Sequence, residues 1–271
     1  MGTLFLVATP IGNLEDISGR ALRILAQVSL IAAEDTRQTR KLLEHYHLHT
    51  PLSSYFEHNK LAKLGQVLAA LAQGDVALVS DAGTPALNDP GYELVRAALE
   101  QGHTVSPIPG PSAPIAALVA SGLPTDAFLY LGYLPRKASE RRRFLAGVTE
   151  MPYTLILLET PHRLLAALQD LQAALGDRQM AAARELTKIH EEIFRGTLSQ
   201  TQAHFTIQAP RGEFTLVVAG KPPTRQRWAV EQVIAAAQKL SEEGLSPAQA
   251  SRQLASPSGW SRRELYALLT Q

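Results

Sequence analysis

The sequence predicts a two-domain α/β protein with a mostly parallel N-terminal sheet, a mixed second sheet and a small C-terminal helical module. Three observations carry that expectation. Over the first 120 residues, short apolar runs alternate with amphipathic helical patterns, as in a parallel sheet with helical crossovers. Three of the loops after those runs hold glycine and proline together: Pro10 with Gly12, Gly83 with Pro85, and Pro109-Gly110-Pro111. At 271 residues, 45% of them hydrophobic, the chain is long enough for two packed domains and an appendage. The expected spans are residues 1–122, 123–221 and 226–271.

Residues 4–8 form a continuous apolar run that breaks at Thr9-Pro10-Ile11-Gly12-Asn13, as a buried strand followed by a tight loop does. Asp16 or Ser18 can cap the next helix, whose stripe is Ala21, Leu22, Leu25 and Val28. Residues 30–33 read as a second buried strand that delivers Glu34-Asp35-Thr36-Arg37 to its carboxyl end. Helices are expected over 38–46 and 59–73, with residues 50–55 as their connection. The central strand, 76–79, runs into Ser80-Asp81-Ala82-Gly83-Thr84-Pro85 and then Asn88-Asp89-Pro90-Gly91, before a helix ending near Glu100. A short strand over 105–108 enters Pro109-Gly110-Pro111-Ser112-Ala113. Residues 114–119 are small and apolar, suited to a helix close against the sheet. Ligands of such sheets sit outside the carboxyl ends of the strands, and glycine there lets backbone approach a ligand closely.

Gly122-Leu123-Pro124-Thr125 marks the crossing into the second domain. Strands are expected over 128–134, 153–158, 180–183, 191–194 and 214–219, with a helix over 164–175. Strand ends carry Glu159-Thr160-Pro161-His162-Arg163 and Arg184-Glu185-Leu186-Thr187-Lys188, and Gly212-Glu213 opens the last strand. Arg136, Lys137, Arg141, Arg142 and Arg143 place five positive charges within eight residues. They form either a solvated helix face or a surface that neutralises phosphates. Lys221-Pro222-Pro223-Thr224-Arg225 reads as a linker. Three short helices over 228–242, 247–254 and 261–269 then make a helix-turn-helix-like pattern with Arg252, Arg262 and Arg263 exposed, or a plain capping bundle.

Composition removes several classes of chemistry. With no cysteine, disulfides, thiolate metal sites and thiol nucleophiles are excluded. His45, His47 and His49 fall two apart, which does not bring them to one helix face, and no metal is expected. The net charge of +1 requires any nucleic-acid contact to come from a local basic patch. No segment has the length of a membrane span or the make-up of a signal peptide, so a soluble, cytoplasmic protein is expected.

In order, Val7-Ala8-Thr9-Pro10-Ile11-Gly12-Asn13-Leu14, Ile31-Ala32-Ala33-Glu34-Asp35-Thr36-Arg37, Ser80-Asp81-Ala82-Gly83-Thr84-Pro85, Asn88-Asp89-Pro90-Gly91-Tyr92 and Pro109-Gly110-Pro111-Ser112-Ala113 resemble one family. Glu159-Thr160-Pro161-His162-Arg163, Arg184-Glu185-Leu186-Thr187-Lys188 and Arg211-Gly212-Glu213 continue the match. The chain resembles the ribosomal RNA small subunit methyltransferase I family of the tetrapyrrole methylase superfamily. It lacks the GxGxGD first loop of the small-molecule branch, carrying TPIGNLED there.

The resemblance implies a tetrapyrrole-methylase-like fold, a homodimer, S-adenosylmethionine bound between the domains, and a 16S rRNA cytidine methylated on its ribose 2′-hydroxyl. It also implies site residues. Cofactor contacts fall to Pro10, Gly12, Ser80, Asp81, Ala82, Gly83, Thr84, Pro85, Ser112 and Ala113, and across the cleft to Leu158, Glu159, Thr187 and Gly212. A hydroxyl nucleophile needs its proton accepted or its developing charge stabilised, for which Glu34, Asp35 and Lys188 stand at strand ends. Arg37, Arg136 and Arg163 suit RNA phosphates. Two other functions remain open: a small-molecule methylase of the same superfamily, and a nucleic-acid-binding regulator built on the C-terminal helices.

Overall fold

The computed structural model describes residues 1–57, 59–222 and 227–270. Pro223, Thr224 and Arg225 of the expected linker lie outside the described residues, as do Gln226 and Gln271. Residues Met1–Lys221 form one compact unit and Pro222–Gln271 another.

The first unit opens with five strands, β1 (Thr3–Val7), β2 (Leu30–Ala33), β3 (Leu52–Ser54), β4 (Val76–Val79) and β5 (Thr104–Ile108). They are linked by α1 (Gly19–Gln27), α2 (Thr36–His45), α3 (Lys60–Gln73) and α4 (Tyr92–Glu100). The sheet is all parallel in the order β3-β2-β4-β1-β5. Its central strands are apolar on both faces: Val76, Ala77, Leu78 and Val79 are all buried. On one face Leu25 of α1 and Leu42 and Leu43 of α2 pack on Val7, Ile31 and Val79. On the other, Val67 and Leu71 of α3 and Leu94 of α4 pack on Leu4, Val76 and Leu78.

This wiring decides where a ligand can bind. The chain leaves β1 through α1 on one face and leaves β4 through α4 on the other, although β1 and β4 are neighbours. Their carboxyl ends therefore part in opposite directions and leave a crevice, the topological switch point of an open α/β sheet.

A second sheet follows α5 (Ala113–Ser121). Its elements are β6 (Phe128–Tyr133), α6 (Ala138–Ala146), β7 (Thr154–Glu159), α7 (Leu164–Leu175), β8 (Gln179–Arg184), β9 (Glu192–Thr197), α8 (Leu198–Ile207) and β10 (Phe214–Val218). The order is β6-β7-β10-β8-β9, with β6 and β7 parallel and the other pairs antiparallel. Helices α7 and α8 cover one face through Leu168, Leu171 and Phe205. Ala117 and Leu118 of α5 cover the other, against Ile156, Ala181 and Val217.

Three elements differ from expectation, each for a physical reason. Residues 52–54, expected as a connection, pair with β2 as a three-residue edge strand, too short and too serine-rich to show alternation. Helix α8 has no apolar stripe to reveal it. It is fixed by caps instead: Thr197 and Gln200 form a capping box, and Asp177 accepts from the Ser199 amide at 2.8 Å. Helix α6 carries most of the basic cluster, but Arg141 is buried and shares Asp170 with Arg142 at 2.5 and 2.8 Å. Asp170 therefore neutralises part of the cluster, with Arg141 inside the fold and Arg142 at its surface, while Arg136 stays exposed.

The C-terminal unit holds α9 (Val230–Glu242), α10 (Pro247–Ser258) and α11 (Arg262–Leu269) around Val233, Leu254 and Leu265. Ser246 and Ser261 form capping boxes with Gln249 and Glu264. Helix α10 continues past the expected end at Leu254, carries Pro257 in its last turn and stops at Gly259, which is left-handed at φ 70°. The Trp260 indole N–H donates to the Trp228 carbonyl at 2.9 Å, and the Arg227 guanidinium lies 3.8 Å above the Trp260 ring.

Gly91 links the central loop to α4 at φ 150°, where a Cβ would stand 2.7 Å from Leu78 Cδ2 and 2.9 Å from Ala86 Cβ. Gly91→Ala is expected to destabilise the fold by about 1–3 kcal/mol in urea unfolding. Gly19→Ala, at a position with open space around it, should be neutral or stabilising by about 0.4–1 kcal/mol.

Candidate functional site

At the switch point the loops after β1 and β4 are bonded to each other. The Thr9 amide donates to the Gly83 carbonyl at 2.8 Å, and the Gly83 amide donates back to Thr9 at 2.9 Å. The Thr9 hydroxyl adds a bond to the Ser80 carbonyl at 3.2 Å. A second reciprocal pair ties β2 to β4. The Asp35 amide donates to Asp81 Oδ1 at 2.9 Å, and the Asp81 amide donates to Glu34 Oε2 at 3.2 Å. Two carboxylates are thus fixed by backbone donors at the mouth of the crevice.

The second sheet closes against this rim through glycines. At Gly12 a Cβ would stand 2.5 Å from Lys188 Cγ and 2.7 Å from Thr187 Oγ1, so only glycine allows the first loop to lie on the loop after β8. The Asn13 amide donates to that Thr187 hydroxyl at 3.0 Å. Gly212, at φ 74°, leaves room for the Glu185 carboxylate, which accepts from the Glu213 amide at 3.1 Å and from Lys188 Nζ at 2.9 Å. Gly132 sits in a bulge of β6 at φ 63°, and a Cβ there would be 2.5 Å from Asn88 Nδ2.

Between the two walls lies a cavity of ≈ 300 Å³. Of the residues expected to contact a cofactor, Asp81, Ala82, Gly83, Thr84, Ser112, Ala113 and Leu158 line it, and so do Glu34 and Lys188. Pro10 and Ser80 line a neighbouring recess with Asp81. Pro85 is buried behind the loop. Gly12, Thr187 and Gly212 act in the wall contacts above and are absent from the lining. Glu159 is 1% exposed, accepts from the Thr160 amide at 2.8 Å and lies 3.2 Å from the Arg163 guanidinium. Arg163 also donates to the Leu134 carbonyl at 2.5 Å, so both hold the wall together. Arg37 chelates Asp35 at 2.6 Å and is otherwise in solvent.

The cavity is acidic. Asp89 and Glu213 join Glu34 and Asp81 in its lining, while Leu186, Phe214 and Pro114 supply apolar surface. Burial pushes Asp89 up to about 6, and the Glu34 carboxylate adds to the rise. Burial also raises Glu34, reinforced by Asp81 and Asp35, and raises Asp81. Asp35 goes the other way, held down to about 2 by its hydrogen bonds from Arg37. Tyr130 is raised to about 12 by burial and by Tyr133 and Asp89. Asp89 was not singled out from sequence. Its signal was its place between Asn88, left-handed at φ 65°, and Pro90, a backbone that turns an acid inward.

The arrangement suits a cationic, amphiphilic ligand: four carboxylates besides the Glu185–Lys188 ion pair for positive charge, and an apolar wall for a flat ring. Ser112 begins α5 with no side-chain cap, leaving the Ala113 and Ile115 amides, on either side of Pro114, for an anionic end. Those features fit S-adenosylmethionine, which carries a sulfonium, a carboxylate and an adenine. Among the described residues no group of three or more His, Asp or Glu is placed to hold a metal ion. No helix there is long and apolar enough to cross a membrane.

Residues 3–202 match the family of Tetrapyrrole (Corrin/Porphyrin) Methylases. The chain is 50% identical to a ribosomal RNA small subunit methyltransferase I from Synechocystis, over 99% of this chain and 97% of that one. It is 45% identical to the protein of the same name from Halalkalibacterium halodurans, over 100% and 95%. Among solved structures, the methyltransferase CobJ superposes with a TM-score of 0.62 at 17% identity, covering 81% of this chain and 95% of that one. Uroporphyrin-III C-methyl transferase from Thermus thermophilus, complexed with S-adenyl homocysteine, gives 0.55 at 19%, over 80% and 97%.

The raised value of Asp89 sets a direction for stability against pH. Its folded value of about 6 lies above the ordinary 3.8, so the folded chain holds the proton more tightly than the unfolded one. The stability this confers is present at low pH and is lost as pH rises from about 4 to about 6. Asp89→Asn is therefore expected to raise the melting temperature at pH 7.5 and to leave it unchanged near pH 4, by calorimetry.

Proposed function

The chain belongs to the ribosomal RNA small subunit methyltransferase I family within the tetrapyrrole methylases, and from that premise we propose that it methylates the ribose 2′-hydroxyl of a decoding-centre cytidine in 16S rRNA. The methyl donor is S-adenosylmethionine. One observation carries this reading: half of all positions are identical to a ribosomal RNA small subunit methyltransferase I along 99% of the chain. The solved tetrapyrrole methylases share the fold at under a fifth identity.

S-adenosylmethionine supplies a methyl group on a sulfonium, which an attacking oxygen takes in line. The protein's part is placement and electrostatics. Glu34, Asp81, Asp89 and Glu213 favour a positive charge in the cleft. The loops at Gly83 and Thr84 and the start of α5 offer backbone donors, and Leu158, Leu186 and Phe214 receive the adenine side. Holding both reactants in register is worth about 7–11 kcal/mol of barrier. Asp89 accepts the proton of the acceptor hydroxyl, because a base near neutrality combines availability with driving force. Glu34 is the second choice. Asp35 is held by Arg37 and serves to cap α2, while Lys188, bonded to Glu185, offsets negative charge developing on the acceptor.

Residues 1–122 and 123–221 are taken as the two domains that share the cleft. The protein acts as a homodimer in the cytoplasm. Ile115 and Val119, one turn apart on α5 and 45% and 68% exposed, offer apolar surface that a second copy would cover.

The test is transfer from radiolabelled S-adenosylmethionine to small ribosomal subunits lacking the modification, followed by nucleoside mass spectrometry. A 2′-O-methylcytidine product is expected. Label on a tetrapyrrole and none on subunits or free 16S rRNA would overturn the reading. In the same assay kcat/KM should rise with pH through about 6, as Asp89 loses its proton. Asp89→Asn should remove that limb and slow transfer by about 10²–10⁴-fold.

A further inference from the structure

Beside the cofactor cleft lies a second recess of ≈ 260 Å³, lined by residues of the first loop (Thr9, Pro10, Leu14), of α2 (Gln38, Thr39, Lys41, Leu42) and of the β4 end (Ser80, Asp81). Asp81 belongs to both cavities. The two cavities therefore meet at that carboxylate and share no other lining residue. Its chemistry is mixed in a particular way. Pro10, Leu14 and Leu42 give apolar surface, and Leu14 is 38% exposed. Gln38, Thr39 and Ser80 give amide and hydroxyl groups that can both donate and accept.

Helix α2 flanks the opening with Arg37, Arg40 and Lys41, at i, i+3 and i+4 and all exposed, hence on one face. Arg37 is matched by Asp35. Among the described residues, Arg40 and Lys41 have no carboxylate partner, and Lys41 donates only to Gln38 at 3.0 Å. A small, two-sided pocket beneath unpaired cations complements a single unstacked nucleotide. Apolar surface suits the base, polar groups suit its edge and the ribose hydroxyls, and cations suit the flanking phosphates.

We infer that this recess is the acceptor-nucleotide subsite. An unpaired nucleotide of the substrate RNA enters between the first loop and α2, its neighbouring phosphates lie on Arg40 and Lys41, and its 2′-hydroxyl faces the rim at Asp81 and Ser80, the latter bonded to the Asp89 carboxylate. The inference rests on the rRNA reading above and adds the place where the acceptor binds. The acceptor and cofactor cavities have only Asp81 in common, so neither ligand must leave for the other to bind.

The test uses the full-length protein with small ribosomal subunits. Arg40→Gln with Lys41→Gln should raise KM for subunits roughly tenfold and reduce the slope of log(kcat/KM) against log salt by about one per residue. Gln38→Trp, which fills the recess from an exposed helical position, should also raise KM. Cofactor affinity, measured by calorimetry with S-adenosylmethionine alone, should not change in any variant. If the unaltered protein methylates subunits and these variants match it in KM and salt slope, the subsite is wrong and the rRNA reading stands. Loss of cofactor affinity in the variants would also overturn the subsite. If the unaltered protein labels no RNA, both readings fall together.

Discussion

The structure depends on one constraint: backbone groups at the ends of β1, β2 and β4 run out of sheet partners where the ligand cavity begins. Buried amides and carbonyls without partners are costly. Here the shortage is met by the loops themselves: Thr9 pairs with Gly83, the Asp35 amide donates to the Asp81 carboxylate, and the Asp81 amide donates to the Glu34 carboxylate. Because carboxylates make some of those bonds, the same contacts that fix the loops also charge the cavity.

The second dependence is distance between backbones. Gly12 and Gly132 each stand where a Cβ would collide with the opposite wall, at Lys188 and Thr187 and at Asn88, while Gly212 leaves room for Glu185 within the second wall itself. Glu185 and Thr187 in turn hold positive φ values of 49° and 65°. A left-handed, β-branched threonine is an outlier that costs of order 1–3 kcal/mol. Asn13 and Glu191 hold it there through bonds to its hydroxyl and its amide. Strain on one loop is thus maintained by close approach of the other.

Much of this was legible in the sequence, and the failures are specific. The parallel sheet was clear because Val76–Val79 and Leu30–Ala33 are apolar throughout, and the loops declared themselves through glycine and proline. Strand β3 and helix α8 were not, since one is three residues at an edge and the other is set by capping rather than by an apolar stripe. For the site, residue type located the loops but not which atoms face inward. Glu159 and Arg163 look like reactive groups and hold the wall, whereas Asp89 looks like a turn residue and lines the cavity. Burial is a property of the assembled walls, and no local pattern encodes it. The burial of Arg141 in the basic cluster was hidden in the same way, because Asp170, which holds Arg141 and Arg142, lies a helix away in sequence.

The matched glycines have an evolutionary consequence. A side chain facing the cavity can be exchanged one mutation at a time, because its neighbours are solvent or ligand. A change at residue 12 or 132 is viable only if the facing Lys188 and Thr187, or Asn88, give way at the same time, and double events of that kind are rare. Lineages that carry this architecture can diversify what the cavity holds while the seam between its walls stays frozen. Acceptor preference and scaffold are therefore free to evolve at different rates within one chain.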